Sequence, residues 1–249
     1  MTELVESAAA GTALVLCKDA RTRQLIIESL RPLAIRPEVC EEASIAAGLL
    51  DKQKFEAVIV DLELGEGALL ILEQVRFSRS NRTAVTFAVT GEGPAKGPRP
   101  ASTFVLQRPL STGSVTQTLR AAFGLVVRER RRYFRCPMVV PAQVRGREPE
   151  EFWCQTVNIS EGGIAMSTRT IPDSAVPMAV RFSLPGRSSQ LFAETTVRWR
   201  SQGGVMGLEF QALATPQKEE LQEWLARKLD ETLPENVAVL FRSVGQTAS

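Results

Sequence analysis

Hydrophobic and polar positions change rhythm once along this chain. Up to about residue 130, short continuous apolar runs alternate with stretches whose apolar residues recur at three and four. Ala13-Leu14-Val15-Leu16-Cys17 and Ala57-Val58-Ile59-Val60-Asp61 are such runs, the pattern of strands buried on both faces. Residues 83–89, stopped by Thr90-Gly91, read as a third, with shorter strands at 36–40 and 104–106. Between them, Asp19 is placed to cap a helix carrying Leu25, Ile26, Ser29 and Leu30. Further helices are predicted over about 44–52, 67–77 and 115–130. Alternation of this kind predicts a parallel sheet with right-handed crossovers. Residues 91–100 hold three glycines and three prolines, which excludes a regular helix there.

From Pro137 the period becomes two. Strands are predicted at 139–144, 152–157, 164–167, 180–184, 191–200 and 205–210, with Pro185-Gly186 and Gly203-Gly204 as turns. Short strands at this spacing predict a small antiparallel barrel. Pro216 then opens a helix with Leu221, Trp224, Leu225 and Leu229 on one face, able to lid the barrel. Trp153, Trp199 and Trp224 are expected in the core, and Arg198 and Arg200 on the face opposite Trp199. Residues 230–249 read as a polar tail, and whether its apolar patch at 237–241 docks, pairs with a second copy or frays stays open.

Composition narrows the chemistry. The chain has no histidine, which removes Ser-His-Asp and Cys-His nucleophile systems, HExxH zinc sites and imidazole general bases. No glycine-rich phosphate loop follows a strand; carboxylates alone leave an enzyme open, but nothing points to one and none is expected. Cysteines 17, 40, 136 and 154 form no CxxC pair and are expected as small buried hydrophobes. No apolar run approaches the ~18 residues of a membrane span, and the acidic start at Met1-Thr2-Glu3 is unlike a signal peptide. A reduced, cytoplasmic protein is the expectation.

A net charge of +2 makes one local feature stand out. Arg128-Glu129-Arg130-Arg131-Arg132-Tyr133-Phe134-Arg135 packs five arginines against one glutamate. Guanidiniums this dense repel until an anion neutralises them, and their planar forks suit a phosphate or a ring face. Downstream, Asn158-Ile159-Ser160-Glu161-Gly162-Gly163 places an amide and a hydroxyl two apart, on one face if extended, ahead of two glycines. The pair describes a site for a ligand that carries both phosphate and base.

Arg131-x-x-x-Arg135, the strand-like segment at 139–144 and Asn158-x-Ser160-x-x-Gly163 together resemble the PilZ domain. That resemblance implies cyclic di-GMP binding, with Arg131 and Arg135 on phosphates and guanine faces, Asn158 and Ser160 on the guanine edge, and Gly163 keeping the turn tight. Arg128-x-x-x-Arg132 also fits the first half. The later register is preferred because Phe134 and Arg135 lead directly into the strand, and Arg132 is kept in the binding set.

The first half resembles a response-regulator receiver domain. Asp61 stands where that family's phosphoacceptor stands, Thr90 at the switch hydroxyl and Arg108-Pro109 at the lysine-proline pair. The acidic pair that binds magnesium in the family is replaced by Cys17-Lys18, leaving Asp19 alone. Without that cation to screen phosphoryl oxygens, Asp61 reads as vestigial, and neither magnesium nor another cofactor is expected.

The resulting expectation is a flavodoxin-like, receiver-like α/β domain at 10–124, a helical basic linker at 125–135, a PilZ barrel with its helix at 136–229, and a tail at 230–249. As a whole it would be a non-catalytic cyclic di-GMP receptor, coupling ligand binding to domain rearrangement through flexible linker arginines and to a protein partner yet to be identified. The rival readings are an adaptor that does not bind cyclic di-GMP, nucleic-acid binding through the arginines, which the near-neutral charge disfavours, and a phosphorylated receiver. Membrane insertion is not expected, and a homodimer stays open.

Overall fold

Five parallel strands, β1 (Gly11–Leu16), β2 (Ile35–Cys40), β3 (Ala57–Asp61), β4 (Val85–Thr90) and β5 (Thr103–Gln107), line up in the order β2-β1-β3-β4-β5. Helices α1 (Ala20–Leu30), α2 (Ala43–Lys52), α3 (Glu66–Phe77) and α4 (Thr112–Tyr133) make the crossovers. This is the doubly wound order in which a crevice opens at the carboxyl ends of the strands. A computed structural model of the protein describes residues 9–92, 103–146, 151–167, 177–233, 235 and 237–239. The described residues fall into two compact units, Met1–Arg130 with Thr232–Ser249, and Arg131–Glu231.

The apolar runs are buried as their composition requires: every position of β3 and β4 is inside. Leu14, Leu16, Val58 and Val60 pack with Leu50, Phe55 and Leu72 in one core. Asp19 caps α1, its carboxylate accepting from the Thr22 amide at 2.7 Å. Of residues 91–100, all but the first two lie outside the described residues.

The basic stretch is helical, as expected, and anchored rather than flexible. α4 runs through the arginines to Tyr133, because arginine is a strong helix former and two residues of the stretch are anchored. Glu129 is buried and accepts from Lys54 Nζ at 3.1 Å and Thr83 Oγ1 at 2.7 Å. Arg130 Nη1 lies 3.9 Å from the buried Glu56 carboxylate. The cluster is therefore divided, with Arg130 serving the first unit.

In the second unit, β7 (Pro141–Arg145), β8 (Glu151–Ser160), β9 (Gly163–Ser167), β10 (Met178–Ser183), β11 (Gln190–Arg200) and β12 (Val205–Leu213) form a closed antiparallel barrel. The ring runs β8-β7-β10-β11-β12-β9 and returns to β8, and closure leaves no free edge among the six. A two-residue strand, β6 (Cys136–Pro137), pairs with β8 and is too short for periodicity to reveal. Helix α5 (Thr215–Thr232) buries Leu221, Trp224, Leu225 and Leu229, the stripe its spacing predicts. Trp224 Nε1 donates to the Pro185 carbonyl at 3.1 Å, fixing the helix over the turn between β10 and β11.

All four cysteines are free and buried. No helix among the described residues is long and apolar enough to cross a membrane. Val237 and Ala238 are buried and Val239 is exposed, while residues 240 and 241 of the tail patch lie outside the described residues.

Candidate functional site

Two of the barrel's β-bulges decide which side chains reach one opening on its outer surface. Along β8, Cys154 and Thr156 point inward and are buried. Pairing with β9 then jumps from Thr156↔Met166 to Asn158↔Ala165, leaving Val157 as the extra residue. The pleat changes parity: Ile159 becomes the buried residue, and Asn158 and Ser160 turn outward. Thr156 pins the bulge, its Oγ1 donating to the Met138 carbonyl at 2.6 Å while the Val140 amide donates to it at 2.9 Å.

The second bulge lies in β11, where Val197 pairs with Leu208 and Trp199 with Gly207, so that Arg198 is extra. Arg198 and Trp199 consequently share the outer surface. This corrects the expectation that Trp199 is core and faces away from Arg198; the residue is 49% exposed. Trp153 is likewise 68% exposed rather than core, because outward positions alternate with Cys154. Only Trp224 is buried as expected.

These surfaces enclose a cleft of about 480 Å³, bounded by the end of α4, the β8–β9 hairpin, β11, β12 and the start of α5. Arg132, Arg135, Asn158, Ser160 and Gly163 of the expected set line it. Arg131 does not, since successive residues on a helix point about 100° apart; Arg132 is the arginine of α4 that reaches it. Ser160 Oγ donates to the Gly163 carbonyl at 3.2 Å across the hairpin. Gly163 is required by close approach: a Cβ there would sit 2.3 Å from the Leu208 carbonyl oxygen of β12.

Sequence reasoning missed the aromatic and β11 contributions. Tyr133 and Trp199 both line the cleft, and Arg132 lies over the Tyr133 ring at 6.0 Å. The signal available in the sequence was Gly207 opposite Trp199, a glycine inside a strand, which marks a close approach. Electrostatically, Arg132, Arg135, Arg198 and Lys218 face Glu161 and Glu209. Glu209 is occupied by Arg198, Nε to Oε2 at 2.6 Å, which holds its carboxyl below the usual range. Glu161 accepts from Gln222 Nε2 at 3.2 Å. Among the described residues no carboxylate forms an ion pair with Arg132, Arg135 or Lys218. The cleft thus offers positive charge, flat rings and an amide–hydroxyl edge together.

At the carboxyl end of the parallel sheet, Asp61 is buried and gripped by Arg108, Nη1 to Oδ1 at 3.1 Å and Nη2 to Oδ2 at 2.9 Å. That hydrogen bonding raises the Arg108 pKa above its ordinary value. Cys17 Sγ donates to Oδ2 at 3.4 Å, and its thiol is pushed up to about 12 by burial first and then by Asp61. The Glu63 amide takes Oδ1 at 3.2 Å. A receiver-like fold implies a divalent cation here, and these residues do not fit one. The thiol stays protonated, Lys18 is a cation, Asp19 is committed to its cap, and both Asp61 oxygens are held. No group of acidic, cysteine or histidine residues among the described residues is arranged to hold a metal. The Thr90 hydroxyl is buried with no hydrogen-bond partner among the described residues.

Residues 129–227 match the PilZ domain family. Among solved structures, the chain resembles the inhibitor of motility of Bacillus subtilis at 26% identity and TM-score 0.35, over 40% of this chain and 51% of that one. The chain thus spans about half the length of that protein. It also resembles the PilZ domain of CeSA from a cellulose-synthesizing bacterium, at 20% identity and TM-score 0.30, over 37% and 94%. The receiver domain of a sensor histidine kinase from Pseudomonas aeruginosa aligns at 18% identity and TM-score 0.41, over 47% and 99%. A search of curated proteins returns no match. Residues 129–227 are a PilZ domain, and the α/β unit ahead of it is receiver-like.

Proposed function

We propose that the protein is a non-catalytic receptor for cyclic di-GMP, bound in the cleft of the PilZ domain. The observation that carries this reading is the convergence of Arg132, Arg135, Asn158, Ser160 and Trp199 on one opening. Arg132 and Arg135, which form no ion pair with a carboxylate among the described residues, take the phosphates. Arg131 lies one position away on the same helix end and adds to the field. Asn158 and Ser160 present the guanine edge with its partners, and Trp199 supplies a flat face. Two or three charge-assisted bonds at ~1.5–3 kcal/mol each account for much of the ~8 kcal/mol of a micromolar complex.

Calorimetric titration of cyclic di-GMP into the full-length protein, with Arg135→Ala alongside, tests it. Micromolar or tighter binding that the substitution abolishes is expected. No heat from the folded wild type overturns the reading in favour of an adaptor that works without the nucleotide.

The same reading extends to output. α4 buries Val115, Leu119, Ala122 and Phe123 in the first unit and ends at the cleft with Arg132. A ligand that draws on Arg132 therefore acts on a helix that both units share, which is the route by which binding rearranges the domains and reaches a protein partner. Small-angle scattering with and without cyclic di-GMP reads this; an unchanged profile at saturation counts against it.

A further inference from the structure

The barrel carries a second organised surface that shares no lining residue with the cleft. Trp153 of β8 pairs with Gln143 of β7, Gln143 with Arg181 of β10, and Arg181 with Phe192 of β11. All four point outward, so the pairings form one continuous row across four strands. Trp153 is 68% and Phe192 48% exposed. The Arg181 guanidinium lies 4.5 Å above the Phe192 ring, and among the described residues no carboxylate forms an ion pair with it. Gln143 and Arg181 form a bar between two hollows. The larger, about 510 Å³, is walled by Trp153, Val140, Pro141, Leu184 and Pro185; the smaller is about 190 Å³.

We infer that this row is a docking surface for an extended segment of another protein, one that places an apolar side chain in the larger hollow and a carboxylate on Arg181. Exposed tryptophan and arginine set in a depression is the composition that carries binding energy at protein interfaces. Stacking on Phe192 holds the guanidinium flat and orders its fork in advance, which suits two-pronged capture of a carboxylate. Charge selects the occupant further. The adjoining row, Glu151–Arg145–Ala179–Glu194, brackets the surface with two carboxylates. These repel a phosphate backbone but leave Arg181 open to a single acidic side chain. Strands ~4.8 Å apart make the row about 14 Å wide, the reach of roughly four extended residues.

A random peptide library panned against the full-length protein tests this. Enriched peptides should carry Asp or Glu beside a large apolar residue. Their binding should weaken about tenfold or more in Trp153→Ala and in Arg181→Glu, the loss expected of a central contact. Arg181→Glu should recover binding to a peptide whose acidic residue is replaced by lysine. Both positions are outward-facing, and unchanged melting of the two variants confirms that they fold. The inference is overturned if no peptide is enriched, or if enriched peptides bind both variants like wild type. It is equally overturned by a wild-type dimer that Trp153→Ala dissociates, since a second copy would then occupy the surface. None of these outcomes depends on cyclic di-GMP.

Discussion

The indole of Trp199 lies against the backbone of Gly207, so closely that a Cβ at Gly207 would fall 2.1 Å from Nε1. The ring is seated on a bare stretch of the neighbouring strand and turns one face to the cleft. Trp199→Ala should therefore weaken cyclic di-GMP binding by roughly ten- to a hundredfold, matching the ~1–3 kcal/mol of one base–aromatic contact. Gly207→Ala should produce a similar loss by unseating the ring without removing it. Calorimetry on the two variants checks both, and wild-type affinity in Gly207→Ala would sink the seating argument.

Arg108→Ala leaves the buried Asp61 carboxylate without its counter-ion and should destabilise the first unit by about 3–5 kcal/mol. Arg108→Lys should cost less, since an ammonium keeps the charge but not the two-pronged grip. Urea unfolding measures both. Acetyl phosphate with magnesium should leave the intact mass of the wild type unchanged, because both oxygens of Asp61 are held and neither is free to attack the phosphorus.

Glu56 gives a pH dependence of unusual sign. Burial raises its pKa above the ordinary carboxylate value, against the opposing pull of Arg130 and of the Thr12 amide, which donates at 2.6 Å. The folded state then binds its proton more tightly than the unfolded state does. That contribution is fully present below the ordinary value of 4.5 and is lost as pH rises from there through the raised folded pKa. Melting temperatures of Glu56→Gln should show a flatter slope across that window than wild type. An identical slope would remove Glu56 as the cause.

Gly163→Ala should be destabilising wherever it is measured, by about 1–3 kcal/mol, since the new methyl meets the fixed Leu208 carbonyl of β12. Chemical unfolding should show the loss even without ligand. A variant as stable as wild type would mean that the hairpin shifts freely.

The elements were largely legible because their signals are local. Continuous apolar runs announced β1, β3 and β4, period two announced the barrel, and a 3–4 spacing announced the stripe of α5. The motif residues Arg135, Asn158, Ser160 and Gly163 were legible too, and they share one cleft. What stayed hidden depends on pairing between distant strands. Trp199 looks like core because strict alternation would place it there, and only its partner in β12 reveals the extra residue. The helical course of the basic stretch was expected, but its anchoring was hidden for a similar reason. Glu129 meets Lys54 and Thr83, residues 75 and 46 positions earlier.

Val157 and Arg198 each add one residue to a strand, and which side chains face the cleft depends on that count more than on what either residue is. Removing Val157 would leave every motif letter in place, yet Asn158 and Ser160 would rotate into the apolar interior and Ile159 out of it. Substitution at Val157 is therefore cheap, whereas insertion or deletion at either place is ruinous. Drift in such a domain should run through exchanges at the bulges and almost never through changes of length. The site is preserved as a reading frame is preserved, by keeping step.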